Sequence, residues 1–175
     1  MSKQMHAVLM ATAAAAAALL NACAVPNSKP QLHGPVGNWR ILTVETVLPD
    51  GQISTAFMGK QPVGIISYQA NGLVAVQLMR DPKPAFAAGS RVKATPEELK
   101  GAYFGYYAYW GTYTVDAESK TISHQLTASL MPEEVGITYK RHFEIDGQRM
   151  VLTTPPFMYD GRELTNRLTW ERMKD

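Results

Sequence analysis

A chain of 175 residues with 17 basic and 15 acidic side chains is nearly neutral, so neither a nucleic-acid partner nor an acidic surface is implied by its charge. It has a single cysteine, so no disulfide can form within it and the fold must be held by its own core. Residues 1–22 read as a secretory signal peptide, with Lys3 as the short positive start and Ala7–Leu20 as an apolar run too short to span a bilayer comfortably.

Leu20-Asn21-Ala22-Cys23 follows that run and resembles a bacterial lipobox, in which cleavage precedes a cysteine that becomes diacylated. Asn21 departs from the small or aliphatic residue usual there, and ordinary cleavage after Ala22-Cys23-Ala24 is the alternative. A lone exported thiol is a liability whereas a lipidated one is not, so Cys23 is expected to carry a lipid anchor. Ala24, rather than Asp, after the cysteine favours the outer membrane by resemblance to enterobacterial lipoproteins. Residues 23–35 then read as a flexible tether, and residues 36–175 as one domain.

In chain order the domain is strands and turns. Asn38–Val47 is the first strand; Val63–Gln69 and Leu73–Met79 flank Ala70-Asn71-Gly72, a hairpin signal because Asn-Gly tolerates positive φ. Asp81–Gly89 is a loop. Thr95 as N-cap, Pro96 at N1 and Glu98 at N3 announce a helix that is expected to reach about Tyr109. Strands resume at Gly111–Asp116, Thr121–Leu130, Ile137–Ile145, Arg149–Thr154 and Leu164–Arg172, with Asp146-Gly147 as a second tight turn. Eight sequential strands with short turns favour an all-β, up-and-down antiparallel barrel, with the one helix capping an end.

Side chains of a strand alternate faces, which sorts an interior. In Ile137–Ile145 the odd positions are apolar or aromatic except for Arg141, which therefore shares the inward row with Tyr139 and Phe143. The same rule puts His124 with Ile122, Leu126, Ala128 and Leu130, Tyr113 with Gly111 and Val115, and Asn166 with Leu164, Leu168, Trp170 and Arg172. Glu45 falls on the face of Trp39 and Ile41. A buried guanidinium must be answered, either by a protein carboxylate such as Glu45 or by a ligand. Arg172, on the last strand, and Trp39, on the first, are expected to stack as a latch where the barrel closes. On the predicted helix, Leu99, Tyr103, Tyr106 and Trp110 form one stripe, read as a plug that also offers the Tyr106 hydroxyl to a ligand.

Gly37-Asn38-Trp39-Arg40, Ala75–Arg80, Thr95-Pro96-Glu97-Glu98, Ala108–Tyr113, Arg141-His142-Phe143 and Leu168–Arg172 together resemble the bacterial lipocalin-like domain family of calycin-like barrels, over about residues 36–172. The resemblance implies a barrel and a ligand-binding role but no particular substrate. By analogy with fatty-acid-binding barrels, Arg141 and Tyr139 would receive an acidic head group, with His124, Tyr113, Asn166 and Tyr106 completing the ligand site. Pro132–Gly136 departs from the family by carrying acids where an aromatic is often found, which alters the rim.

The sequence contains no G-x-S-x-G, P-loop, HExxH or paired-cysteine site, and the histidines are too scattered for a metal cluster, so no cofactor or metal is expected. The leading expectation is a lipid-anchored envelope protein that holds a small hydrophobic or amphipathic molecule. The alternatives are an isomerase or cyclase using His124 as acid/base, and a filled barrel serving as an envelope interaction protein.

Overall fold

The computed structural model describes Gly34–Lys174; the signal segment, Cys23 and all but the last two residues of the tether lie outside the described residues. Eight long strands close into an antiparallel barrel: β1 (Gly37–Val47), β3 (Val63–Tyr68), β4 (Leu73–Met79), β5 (Tyr106–Asp116), β6 (Thr121–Ser129), β7 (Thr138–Asp146), β8 (Arg149–Thr153) and β10 (Arg162–Arg172). Each pairs with its successor, and β1 pairs with β10 to complete the circle, so no long edge is left open. Two short strands, β2 (Ile53–Ser54) on β1 and β9 (Phe157–Tyr159) on β10, were not expected from the sequence, nor was the 3₁₀ turn Pro132–Glu134.

Tight turns gather at one end of the barrel, the closed end. After Tyr68 the chain makes a type I-like turn, Gly72 N–H to Gln69 O at 3.0 Å, and then uses Gly72 at φ +87°. Asn71 is not at positive φ, so the loop is a turn plus a glycine bulge rather than a two-residue turn. Between Asp146 and Arg149 only Gly147 has positive φ, the pattern of a type II′ turn. The opposite end carries the longer connections: the chain between β1 and β3, α1 (Pro96–Phe104) before β5, the 3₁₀ turn before β7, and β9.

The helix begins as its sequence announces. Glu98 N–H donates to Thr95 Oγ1 at 3.2 Å and Thr95 N–H to Glu98 Oε2 at 2.8 Å, while Ala87 N–H donates to Glu98 Oε1 at 2.7 Å. It ends five residues before Tyr109, however. Gly105 N–H closes onto Gly101 O, and from Tyr106 the chain pairs with β4 from Met79↔Tyr106 to Leu73↔Thr112. The run Tyr106–Trp110 has enough β-branched and aromatic company in its neighbours to be worth more as a strand paired on both sides than as a lone helical turn. The expected helical stripe therefore does not exist. No residue of α1 is buried, Leu99 is 45% and Tyr103 38% exposed, and the helix is no plug. Tyr103 ties it down by donating to Leu130 O at 3.2 Å.

Two bulges correct the inward rows. On β1, Ile41 faces Trp170 but Thr43 faces Thr169, so Leu42 is an extra residue. Trp39 and Ile41 point in, then Val44 and Thr46; Glu45 is turned outward, where it pairs with Arg167 at 2.8 Å and not with Arg141. On β6, Gly111 faces Leu126 but Trp110 faces Ala128, so Thr127 is extra. Ala128 therefore sits opposite the outward Trp110, and Ser129, opposite Tyr109, takes the inward place expected of its neighbours Ala128 and Leu130. Ile137 precedes β7 and is 43% exposed rather than inside.

The core is the barrel interior: Trp39, Ile41, Val44, Ile66, Tyr68, Val74, Val76, Leu78, Ile122, Leu126, Met150, Leu152 and Trp170 are buried. Met58, in the connection from β2 to β3, is fully buried with them. Two open recesses, of about 500 and 410 Å³, lie along the outer side of the sheet. The first sits where β1 parts from β3 and is lined by Arg40, Ile41, Val63, Ile65 and Tyr106; the second borders Ala75, Ala108, Trp110 and Ala128.

Candidate functional site

The barrel interior holds a band of polar side chains above its apolar core. At its centre His124 is 1% exposed, and both ring nitrogens are spoken for: Nε2 lies 2.8 Å from Tyr68 Oη and Nδ1 2.8 Å from Tyr109 Oη. Both of its partners are phenols. Three strands supply this trio: Tyr68 ends β3, while Tyr109 in β5 and His124 in β6 stand on paired neighbours.

Burial, and then the positive Arg141, pull the imidazole pKa down from 6.5 to about 3, so His124 is neutral at physiological pH. A neutral imidazole has one N–H and one lone pair. One tyrosine must therefore donate to it while the other accepts from it, which leaves that second hydroxyl proton to be donated elsewhere in the interior. Burial raises both phenols well above their ordinary range, so both remain hydroxyls.

Arg141 lies on the inward row of β7, beside Ile122 of β6. Its guanidinium stacks over Tyr139, 4.6 Å from the ring centre, and Nη1 donates to Lys140 O at 2.9 Å. Among the described residues no carboxylate comes within 4.0 Å of it; the ion pairs are Arg40–Glu171, His142–Glu144 and Arg167–Glu45. The interior also contains the buried indole N–H of Trp170, which has no acceptor among the described residues.

Toward the open end, three hydroxyl-bearing side chains surround Glu134 of the 3₁₀ turn. Tyr107 Oη donates to Glu134 Oε2 at 2.9 Å and Ser129 Oγ donates to the same oxygen at 2.7 Å. Tyr139 is the third: burial first, and then its hydrogen bond to Glu134, push its hydroxyl up to about 12. Burial and the neighbouring Tyr139 and Glu134 push Tyr107 higher still.

Of the residues singled out from sequence, Arg141, Tyr139 and His124 come together. Tyr113 is inward but belongs to the closed end, where its hydroxyl donates to Gln69 O at 3.0 Å and its ring meets Tyr68 edge-on at 4.8 Å. Asn166 is inward on β10, with its Oδ1 accepting from Thr46 Oγ1 at 2.8 Å. Tyr106 is not part of the interior: it faces outward and donates to Gln77 Oε1 at 3.3 Å, because it is a strand residue and Tyr107 takes the inward place. Trp39 and Arg172 stack at 4.0 Å where the barrel closes. Sequence reading missed Tyr68, Tyr107, Tyr109, Ser129 and Glu134. The alternation through Tyr107, Tyr109, Gly111 and Tyr113 was the available signal for two of them, masked by the strong helix start just before it. Among the described residues no three His, Cys, Asp or Glu side chains gather as metal ligands would.

Residues 36–173 match the model of the lipocalin-like domain family. A curated relative is the 4'-hydroxy-3'-methoxypropiophenone carrier protein ppsC of Aspergillus oryzae, 29% identical over 107 residues that cover 57% of this chain and 96% of that one. Among solved structures, a lipocalin-like protein from Bacteroides uniformis is 13% identical, with 79% of this chain and 97% of that one covered and a TM-score of 0.39. With its family-model match running through all eight barrel strands, this chain belongs to the lipocalin-like domain family.

Proposed function

We propose that this protein is a carrier that binds a small amphipathic molecule through the open half of its barrel, with Arg141 and Tyr139 receiving an acceptor-bearing head group. The observation that carries the reading is Arg141, an inward guanidinium that is stacked on Tyr139 and has no carboxylate within reach among the described residues. A half-buried cation without a counter-ion is costly to maintain, and an anionic or strongly polar ligand offsets that cost. The relative's name, which makes it the carrier of a phenolic aryl ketone, supports a binding role. Buried side chains pack the interior toward both ends, Ile122 and Met150 near the tight turns and Val44, Met58 and Leu78 toward the other end, which limits the ligand to a small one.

His124 favours binding over acid–base catalysis. With both nitrogens bonded to phenols and a pKa of about 3, it is a poor proton acceptor at neutral pH. An N-terminal lipid on Cys23, placing the carrier at the outer membrane, is part of the same proposal and rests on the Leu20–Cys23 pattern. Intact mass of the exported protein, with Cys23→Ser as control, tests the anchor.

For the site, the measurement is the affinity of decanoate by calorimetry. Arg141→Leu is expected to weaken it at least roughly ten-fold, about 1.4 kcal/mol, in a variant shown to be folded by its circular dichroism. Equal affinity in the two proteins removes Arg141 from the site. A para-hydroxyphenyl ketone is the second probe; if it binds and decanoate does not, the head group is a carbonyl rather than a carboxylate.

A further inference from the structure

Among the described residues Glu134 is the carboxylate that the interior hydroxyls at the open end hydrogen-bond, and its position has a chemical meaning. Tyr107 and Ser129 both donate to Oε2, at 2.9 and 2.7 Å, and the Tyr139 hydroxyl lies close enough to the same carboxylate for it to raise the phenol's pKa. Hydroxyl donors on two different strands, β5 and β6, thus converge on one anionic oxygen, with Tyr139 of β7 beside them. That is the donor set a carboxylate ligand needs, and Tyr139 links it directly to the stacked Arg141.

The backbone around Glu134 is firmly held while its side chain is not built into anything else. Ile137 N–H donates to Glu134 O at 3.0 Å, Gly136 N–H to Leu126 O at 2.9 Å, and Gln125 Nε2 to Gly136 O at 2.8 Å. Glu134 is only partly buried, so rotation about its side-chain bonds carries the carboxylate out to water without moving the turn.

We infer that Glu134 stands in for the head group of the ligand: its carboxylate occupies the hydroxyl cluster until the carboxylate of a small amphiphile displaces it. This deepens the carrier reading and rests on it. Binding is an exchange of one carboxylate for another on Tyr107, Ser129 and Tyr139, with Arg141 favouring the incomer that can also reach the guanidinium. No covalent step is involved. Glu134 sets selectivity as well, because an incoming anion must displace a like charge and a neutral molecule need not.

The test compares decanoate with decan-1-ol on the wild type, Glu134→Gln and Glu134→Ala, with thermal unfolding run to show that each variant is folded. Glu134→Gln keeps the acceptor and removes the charge, and is expected to tighten decanoate roughly ten-fold while leaving decan-1-ol within about two-fold. Glu134→Ala is expected to tighten decanoate at least as much. Unchanged or weaker decanoate binding in Glu134→Gln, with the Arg141→Leu loss still present, overturns the exchange and leaves the carrier reading standing. Equal tightening of acid and alcohol also overturns it, since Glu134 would then be only a steric stopper. Failure of decanoate to bind any of the proteins overturns the exchange, and the carrier reading then stands or falls on the para-hydroxyphenyl ketone.

Discussion

His124 shows how much a single buried residue can decide. An unfolded imidazole titrates near 6.5 and this one at about 3. Between those values the unfolded chain holds a proton that the folded one refuses, so acid favours unfolding and stability rises with pH across that window. The slope from this one group reaches about 1.4 kcal/mol per pH unit. Urea unfolding at pH 6.5 and at pH 5, above most carboxylate titration, is expected to show the wild type losing stability on acidification, and His124→Gln losing less. A slope unaltered by the substitution would show that the ring is not buried as a neutral hydrogen-bonding centre. At neutral pH His124→Phe strands two buried phenol hydroxyls and is expected to cost about 2–4 kcal/mol. Legibility at this scale was partial. The inward placement of Arg141, Tyr139 and His124 followed from period-two alternation, but the two phenols on His124 did not, because Tyr68 and Tyr109 reach it from other strands whose register the closed sheet sets.

Strands and their bulges set which face each residue takes. Period-two reading works only between bulges, and one inserted residue reverses everything beyond it. Leu42 turned Glu45 away from the interior, and Thr127 exchanged Ala128 for Ser129. Nothing local marks either site, since a bulge is a matter of how two strands pair. Gly111 belongs to the second bulge. A Cβ there would lie 1.9 Å from Gln125 O and 3.0 Å from Leu126 Cα, so Gly111→Ala is expected to cost about 3 kcal/mol, measurable by chemical denaturation. The helix start is the opposite case, written wholly in local chemistry. The Glu98 carboxyl sits below the usual carboxylate range because Ala87 and then Thr95 backbone N–H groups donate to it. Removing the cap in Thr95→Ala is expected to cost about 1 kcal/mol, seen as faster amide exchange in residues 96–104. Where that helix ends was less legible, because the competing strand gains its stability from β4, 27 or more residues earlier in the chain.

Closure is a property of the whole barrel. Trp39 and Arg172 begin and end the circle, and the guanidinium stacks at 4.0 Å on the indole while donating to Val36 O at 2.6 Å and Gly34 O at 2.9 Å. Trp39 Nε1 donates in turn to Pro35 O at 2.7 Å. Gly37 lets them meet: its φ is +126°, and a Cβ would come within 2.8 Å of Arg172 Nη1. Arg172→Ala is expected to cost about 2–4 kcal/mol, and Arg172→Lys to recover less than half of it, because an ammonium has neither the planar stack nor the fork of donors. A loss below about 0.5 kcal/mol in urea would mean that the stack contributes little to closure.

The helix cap and the barrel strands, apart from the first half of β5, were determined by the sequence itself, since alternation, capping residues and the glycines of turns act within a few residues of one another. Tertiary structure alone decided that Glu45 serves Arg167 and not Arg141, that two phenols clasp His124, and that Glu134 gathers the hydroxyls at the open end. Those contacts join residues from separate strands, and a closed, twisted and bulged sheet brings them together through pairing offsets that no stretch of the chain specifies alone.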